Sequence, residues 1–167
     1  GAAALKIAAG LICTGHGYQT QHCEFPKQLR IAFDADAVVF SDEAQQVFAR
    51  EGLDAFEEYE MARADKPLQE GPFALFLKAL SSLQKAFAEP VAPLRIALVT
   101  ARCAPAHERV VRTLRAWDVR IDEYFFLGGL PKRDVLAAFG AQIFFDDQDT
   151  NIKEAAEAVP AALVQTA

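Results

Sequence analysis

The pattern of hydrophobic and polar positions along the chain predicts short buried strands that alternate with helices. Apolar runs of strand length, rich in β-branched and aromatic residues, occur at residues 29–36, 94–100, 124–127, 142–145 and 161–165. Apolar residues at helical spacing predict helices at residues 42–51, 53–64, 73–87, 133–139 and 150–158, and another that begins near residue 105. The chain is therefore predicted to have an α/β fold.

Strands and helices at this spacing predict a three-layer α/β/α arrangement, a Rossmann-like parallel sheet with helices on both faces. Right-handed crossovers then bring the carboxyl ends of the strands to one edge. The segment at residues 37–93 is too long for a simple crossover, so we predict a small helical cap inserted after the first strand. The predicted domains are an N-terminal extension of unassigned role, a core and this cap, at residues 1–28, at 29–36 with 94–167, and at 37–93.

Composition narrows the class of protein. A chain of 167 residues with 52% apolar residues can bury a core, and it has no apolar run long enough for a membrane span. The net charge of −6 disfavours a nucleic-acid surface. The 3 cysteines form no obvious disulfide framework, which together with the lack of a signal-like start favours the cytoplasm. We expect neither nucleic-acid nor membrane partners, and a homo-oligomer stays open.

Acidic residues follow two of the predicted strands, at the edge where open α/β sheets bind ligands. Asp34 and Asp36 end the first strand, and Asp146 and Asp147 follow the fourth. Close carboxylates repel one another, and a divalent cation or a shared proton relieves the repulsion. The pattern favours a metal-dependent phosphoryl-transfer site. For the first pair the alternative is a helix N-cap with a solvated loop acid, and Asp147 is alternatively the N-cap of the next helix.

The chemistry of such a site assigns a role to each acid. Mg²⁺ takes oxygen ligands, which the carboxylates of Asp34 and Asp146 and the backbone carbonyl of Asp36 can supply. Asp34 is then the nucleophile that forms an aspartyl-phosphate. Asp36 protonates the leaving oxygen and later accepts a proton from water. Asp147 is predicted to support the site indirectly, by holding the metal's waters or Lys132.

Three further residues at or just beyond strand ends are candidates for contacts with phosphate. Thr100 offers a hydroxyl to a phosphoryl oxygen, and Lys132 neutralises charge on the transferring group. Thr100 is alternatively the cap of the following helix, and Lys132 a solvated loop charge. Arg102 is predicted either to bind substrate phosphate or to pair with Asp147.

These residues, in this order, resemble the motifs of the haloacid dehalogenase-like phosphatases. The four motifs correspond to residues 33–38, residues 99–100, Lys132 and residues 145–147. Longer segments are similar to the cytosolic type I 5′-nucleotidases, at residues 33–43, 66–72, 98–102, 113–117, 127–132 and 143–148. The resemblance covers roughly residues 29–166 and implies Mg²⁺-dependent removal of phosphate from nucleoside 5′-monophosphates. Family members usually have glycine where this chain has Ala35, and a methyl group there requires ordinary backbone angles.

The predicted cap contains aromatic and basic groups suited to a base and a phosphate. Phe56, Tyr59 and Lys66 are the candidate substrate-binding residues, and the alternative is that the aromatic rings pack a small core within the cap. Two other functions stay open. One is a phosphatase of another small phosphomonoester, such as a sugar or cofactor phosphate. The other is a non-catalytic nucleotide-binding or interaction module on the same fold.

Overall fold

The computed structural model describes residues 10–13, 28–87 and 92–165. The strands in these ranges are β1 Gly10–Cys13, β2 Leu29–Phe33, β3 Leu94–Thr100, β4 Glu123–Phe126, β5 Ile143–Asp146 and β6 Ala161–Val164. The helices are α1 Glu43–Met61, α2 Ala74–Lys85, α3 His107–Ala116, α4 Arg133–Phe139 and α5 Asp149–Ala155. No helix in these ranges is long and apolar enough to span a bilayer.

The strands form one sheet in the order β1-β6-β5-β2-β3-β4. Strands β2 to β6 pair in parallel, which confirms the predicted α/β class. Strand β1 pairs with β6 in the antiparallel direction, and the sequence did not predict it. This strand lies within the predicted N-terminal extension, so residues 10–13 belong to the core sheet. Residues 1–9 and 14–27 of that extension lie outside the described residues.

Side chains that alternate along the strands build a core on each face of the sheet. On one face Phe33 and Leu98 pack with residues of α2 and α3, among them Leu77 and Leu114. On the other face Ala32 and Val99 pack with residues of α4 and α5, such as Leu136, Phe139, Ile152 and Ala155. The two layers hold the central strands β2, β3 and β5 rigidly, and the candidate site is built on their carboxyl ends.

The inserted segment contributes to both the core and the site. Helix α1 is interrupted at Gly52, where φ is +85°, so its two halves correspond to the two helices predicted there. Helix α2 packs onto the sheet: Leu77 is fully buried, and the ring of Phe76 lies 6.0 Å from that of Phe33 and 6.2 Å from that of Phe145. Helix α2, which falls in the segment predicted as the cap, therefore belongs to the helical layer that covers the sheet. A lid role for the rest of the segment stays a prediction.

A tight turn directs the chain away from β2. The amide of Phe40 donates to the carbonyl of Ala35 at 2.9 Å, and Ala37 has a left-handed φ of 58°. Ala35 is absent from the positive-φ positions among the described residues, so the methyl group is tolerated there. The amide of Gly71 donates to the carbonyl of Val39 at 2.9 Å. A Cβ on Gly71 would lie 2.2 Å from the carbonyl oxygen of Phe40, so only glycine fits this close approach.

Candidate active site

Two neighbouring strands bring the predicted acids together at the carboxyl edge of the sheet. Phe33 of β2 lies beside Phe145 of β5, and the amide of Asp34 donates to the carbonyl of Phe145 at 2.8 Å. This register places Asp34 next to Asp146. Asp34, Asp146 and Asp147 each present one carboxylate oxygen, and these oxygens lie within 4.8 Å of one another.

Lys132 is the cation of this group. Its Nζ lies 2.9 Å from Oδ1 of Asp34 and 2.7 Å from Oδ2 of Asp146, and its side chain is only 6% exposed. Burial lowers the pKa of Lys132, but the two carboxylates outweigh burial and raise it above its ordinary value. The lysine is therefore a buried ion-pair partner and not a solvated loop charge. We call Asp34, Lys132, Asp146 and Asp147 the strand-end cluster.

Asp146 is held in place by donors from the start of α5. Its Oδ1 accepts the backbone amide of Gln148 at 2.8 Å, and Nδ2 of Asn151 lies 3.2 Å from Oδ1 and 3.1 Å from Oδ2. Asn151 is not among the site residues predicted from the sequence. Its position five residues after Asp146, in the helix that follows β5, is the signal that could have found it.

The strand-end cluster carries more negative charge than its lysine compensates. Burial raises the pKa of Asp34 to about 7; Lys132 opposes the rise, while Asp146 and Asp36 add to it. Burial and the charge of Asp146 raise the pKa of Asp147 to about 6. Oδ1 of Asp147 is buried and makes no hydrogen bond within the described structure. Clustered carboxylate oxygens, one of them unpartnered, fit a hard divalent cation such as Mg²⁺ or Ca²⁺.

The capping alternatives do not hold. Asp34 makes no side-chain capping hydrogen bond at the turn after β2. The N-cap positions of α3 and α5 are occupied by Ala106 and Gln148, so Thr100 and Asp147 are the N-caps of neither helix. Thr100 is buried at the end of β3, where its Oγ1 accepts the backbone amide of Arg102 at 3.2 Å. Its contact with phosphate stays a prediction.

A second charged group lies beside the strand-end cluster. Nε and Nη2 of Arg102 each donate to a carboxylate oxygen of Asp36 at 2.7 Å, and its Nη1 donates to Oε2 of Glu60. Oε1 of Glu60 accepts Nη1 of Arg109 at 2.8 Å. We call Asp36, Glu60, Arg102 and Arg109 the arginine network. Arg102 thus pairs with Asp36 and Glu60 and not with Asp147, which corrects the alternative pairing that the sequence suggested.

The two acids of the network stabilise the charged form of Arg102. Burial lowers the pKa of Arg102, but Asp36 and Glu60 raise it above its ordinary value. Glu60 was not predicted from the sequence, because α1 carries several acids and nothing in the pattern marks this one as buried.

The candidate substrate-binding residues of the insert lie against the arginine network. The Cζ of Arg102 lies 5.2 Å from the ring centre of Phe56, and the Cζ of Arg109 lies 5.8 Å from that of Tyr59. Lys66 is exposed, and its backbone carbonyl accepts Nε of Arg109 at 2.9 Å. The two rings therefore pack on arginines, and the proposed contacts of these residues with substrate stay predictions.

An open cleft borders the strand-end cluster at Asp147. It has a volume of about 310 Å³ and lies between the turn after β2 and the first part of α1. Its lining residues are Ala37, Asp42, Gln45, Gln46, Ala49 and Asp147. The side chain of Gln45 also donates a hydrogen bond to Asp147, which lowers the pKa of that acid against the effect of burial. The cleft thus meets the strand-end cluster at Asp147, on the side of the insert.

Comparisons with known proteins agree with the chemistry of this edge. The whole chain, residues 1–167, matches the family described as 5′-nucleotidase. The human protein named Cytosolic 5′-nucleotidase 1B is 45% identical over 133 residues, which are 77% of this chain and 22% of that relative. The chain therefore spans about a fifth of the length of this curated relative. No solved structure matches the chain significantly.

Proposed function

Because the chain belongs to the 5′-nucleotidase family, we propose that it is a Mg²⁺-dependent phosphomonoesterase that hydrolyses nucleoside 5′-monophosphates through an aspartyl-phosphate. The observation that carries the proposal is the strand-end cluster, in which carboxylate oxygens from three aspartates lie within 4.8 Å of one another beside a buried lysine. The cytoplasmic location expected from the sequence accords with the name of the relative, and it is part of the proposal.

The residues that would hold the cation are Asp34 and Asp146, with the backbone carbonyl of Asp36. The unpartnered Oδ1 of Asp147 either binds the cation directly or holds its waters. A bound Mg²⁺ would stabilise the negative charge that develops on the transferring phosphoryl group. It would also compensate the carboxylates, whose mutual repulsion and burial raise the pKa of Asp34.

The protein's own groups divide the remaining chemistry. A carboxylate oxygen of Asp34 forms a bond to phosphorus while the bond from phosphorus to the 5′ oxygen breaks, and Asp36 gives that oxygen its proton. In the second half, Asp36 takes a proton from a water whose oxygen bonds to phosphorus and displaces Asp34. Lys132 lies 2.9 Å from Asp34 and holds that carboxylate in place. Thr100 and Lys132 are the proposed partners of the phosphoryl oxygens.

The test is phosphate release from a panel of nucleoside 5′-monophosphates and sugar phosphates, with Mg²⁺ and with EDTA. We expect Mg²⁺-dependent turnover that falls by at least about 10³-fold in Asp34→Asn, because the amide cannot act as the nucleophile. Asp149→Asn is the control. Asp149 also lies just after β5, but its side chain is 60% exposed and pairs with Lys153. Its activity should match that of the wild type.

Each outcome of the panel decides between functions. Preference for nucleotides supports the proposal, and preference for sugar phosphates replaces the substrate class while keeping the mechanism. Turnover that survives in Asp34→Asn contradicts the nucleophile assignment. A folded protein that releases no phosphate from any ester contradicts catalysis and favours a binding module.

A further inference from the structure

The arginine network connects the proposed acid/base to the inserted segment. Asp36 follows β2, Arg102 follows β3, Glu60 lies in the last turn of α1, and Arg109 lies in α3. The side chains of Glu60, Arg102 and Arg109 are 0%, 2% and 4% exposed, and that of Asp36 is 18% exposed. Only the Asp36 end of the network therefore faces the open edge where substrate would arrive.

Arg102 holds the plane of the Asp36 carboxylate. Two N–H groups of one rigid guanidinium donate to its two oxygens, each at 2.7 Å, so the carboxylate can neither rotate nor shift freely. The third nitrogen of Arg102 donates to Glu60 and, at 3.3 Å, to the carbonyl of Ala106. All three nitrogens of the guanidinium are thus engaged within the protein, which leaves Arg102 poorly suited to bind substrate phosphate.

Glu60 in turn fixes Arg102. One of its oxygens accepts Arg102 and the other accepts Arg109, whose Nε is held by the carbonyl of Lys66. The two carboxylates and two guanidiniums balance in charge. If one of these four side chains moved away, it would leave a buried charge without its partner. That cost keeps the side chains in this arrangement. The ring of Phe56 lies over Arg102 and helps to enclose it.

We propose that Arg102 and Glu60 are positioning residues for the acid/base Asp36: they fix the orientation of its carboxylate at the open edge of the sheet and tie that orientation to helix α1. The inference rests on the proposed function. It assigns to Arg102 a role through Asp36 in place of a direct contact with substrate phosphate.

The test uses two phosphate esters whose leaving groups differ in their need for a proton. A nucleoside leaves as an alcohol and needs the general acid, whereas p-nitrophenolate leaves without one. Arg102→Lys keeps the charge but lacks the planar fork. We expect its kcat/KM to fall about 10- to 100-fold on a nucleoside 5′-monophosphate and less than about threefold on p-nitrophenyl phosphate. Glu60→Gln, assayed below its unfolding temperature, should also lose more kcat/KM on the nucleoside 5′-monophosphate than on p-nitrophenyl phosphate.

A matched control separates positioning from damage to the fold. Arg30 is a matched residue because, counted over the whole residue, it is 7% exposed and Arg102 is 4% exposed. It lies in β2 near the opposite edge of the sheet, where it donates to the carbonyl of Phe139. Arg30→Lys should change kcat/KM on the two esters by the same factor. Thermal unfolding of each variant gives the temperature range in which it is folded.

A double-variant cycle adds an independent readout. In an Asp36→Asn background, Arg102→Lys should cause no further loss of kcat/KM on the nucleotide, because the group that it orients is already removed. A further loss there, or equal losses on the two esters in Arg102→Lys alone, would overturn the positioning role and indicate direct binding of phosphate. A wild-type protein that hydrolysed neither ester would instead overturn the proposed function, and this inference with it.

Discussion

The strand-end cluster and the arginine network lie side by side at the same edge of the sheet, but they differ in charge balance. The strand-end cluster sets three aspartates against the single amine of Lys132. The arginine network pairs two carboxylates with two guanidiniums. One cluster carries excess charge and an unpartnered oxygen, whereas the other satisfies its members within the protein.

The difference in charge balance indicates that the two clusters have different functions. A buried cluster with uncompensated charge is unstable alone, and a cation that supplies the missing charge binds there favourably. A buried cluster that is already compensated gains nothing from a further ion, and it fixes the geometry of its members. The free energy of unfolding of selected variants tests this contrast, from the largest expected effect to the smallest.

Removing one charge from the arginine network should have the largest effect. Glu60→Gln leaves two buried arginines facing one neutral amide, so we expect the free energy of unfolding to fall by about 3–5 kcal/mol. Urea unfolding monitored by circular dichroism measures it. The control is Glu157→Gln, whose carboxylate is 63% exposed and pairs with Arg133; it should cost less than about 1 kcal/mol. Equal costs for the two variants would contradict the role of burial in the network.

Adding a cation should stabilise the strand-end cluster. With Mg²⁺ at about 100 times its Kd, we expect the free energy of unfolding to rise by about 3 kcal/mol relative to EDTA. Asp146→Asn removes a proposed ligand, so the gain should largely disappear in this variant, whereas Glu157→Gln should keep it. A gain of the same size in Asp146→Asn would show that Mg²⁺ binds elsewhere.

The strand-end cluster was predictable because its signals are local. Apolar runs marked the strands; the acids stand directly after them in the sequence, and Lys132 stands five residues beyond the strand predicted at residues 124–127. Right-handed crossovers then bring these positions to one edge whatever the details of packing. The neighbouring order of β2 and β5, which sets Asp34 beside Asp146, was not predicted and is an observation of the structure.

The arginine network was not predictable, because its geometry depends on tertiary contacts. Asp36 turns toward Arg102 through a turn in which Ala37 adopts a left-handed conformation, and alanine gives no sequence signal for that. Glu60 becomes buried only when α1 packs near Arg102 and Arg109. Strand β1 escaped prediction for a similar reason, since its pairing with β6 joins distant parts of the chain.

The excess charge should make stability depend on pH when no metal is bound. The pKa of Asp34 is raised from 3.8 to about 7 in the folded protein, so the folded state binds a proton that the unfolded state has released. That stabilisation is complete below pH 4 and is lost as pH rises through 7. In EDTA we expect the free energy of unfolding to fall by about 3 kcal/mol between pH 5 and pH 8.

Two comparisons attribute this pH dependence to the cluster. Asp34→Asn removes the group with the larger pKa shift, so its stability in EDTA should vary less over the same range, and the raised pKa of Asp147 accounts for the remaining fall. The raised pKa of Lys132 adds nothing in this window, because a lysine is protonated throughout it. A wild-type stability that rises from pH 5 to pH 8 in EDTA would contradict the assignment of uncompensated charge to Asp34.

The smallest effect is expected at the periphery of the strand-end cluster. Asn151→Ala removes the amide that lies 3.2 Å and 3.1 Å from the oxygens of Asp146, but Lys132 and the amide of Gln148 remain as donors. We therefore expect a loss of about 1 kcal/mol in the free energy of unfolding in EDTA. Gln148→Ala is the matched control, since its side chain makes no capping bond and its backbone amide is kept. If Gln148→Ala cost as much as Asn151→Ala, the loss would reflect the start of α5 and not the hydrogen bonds to Asp146.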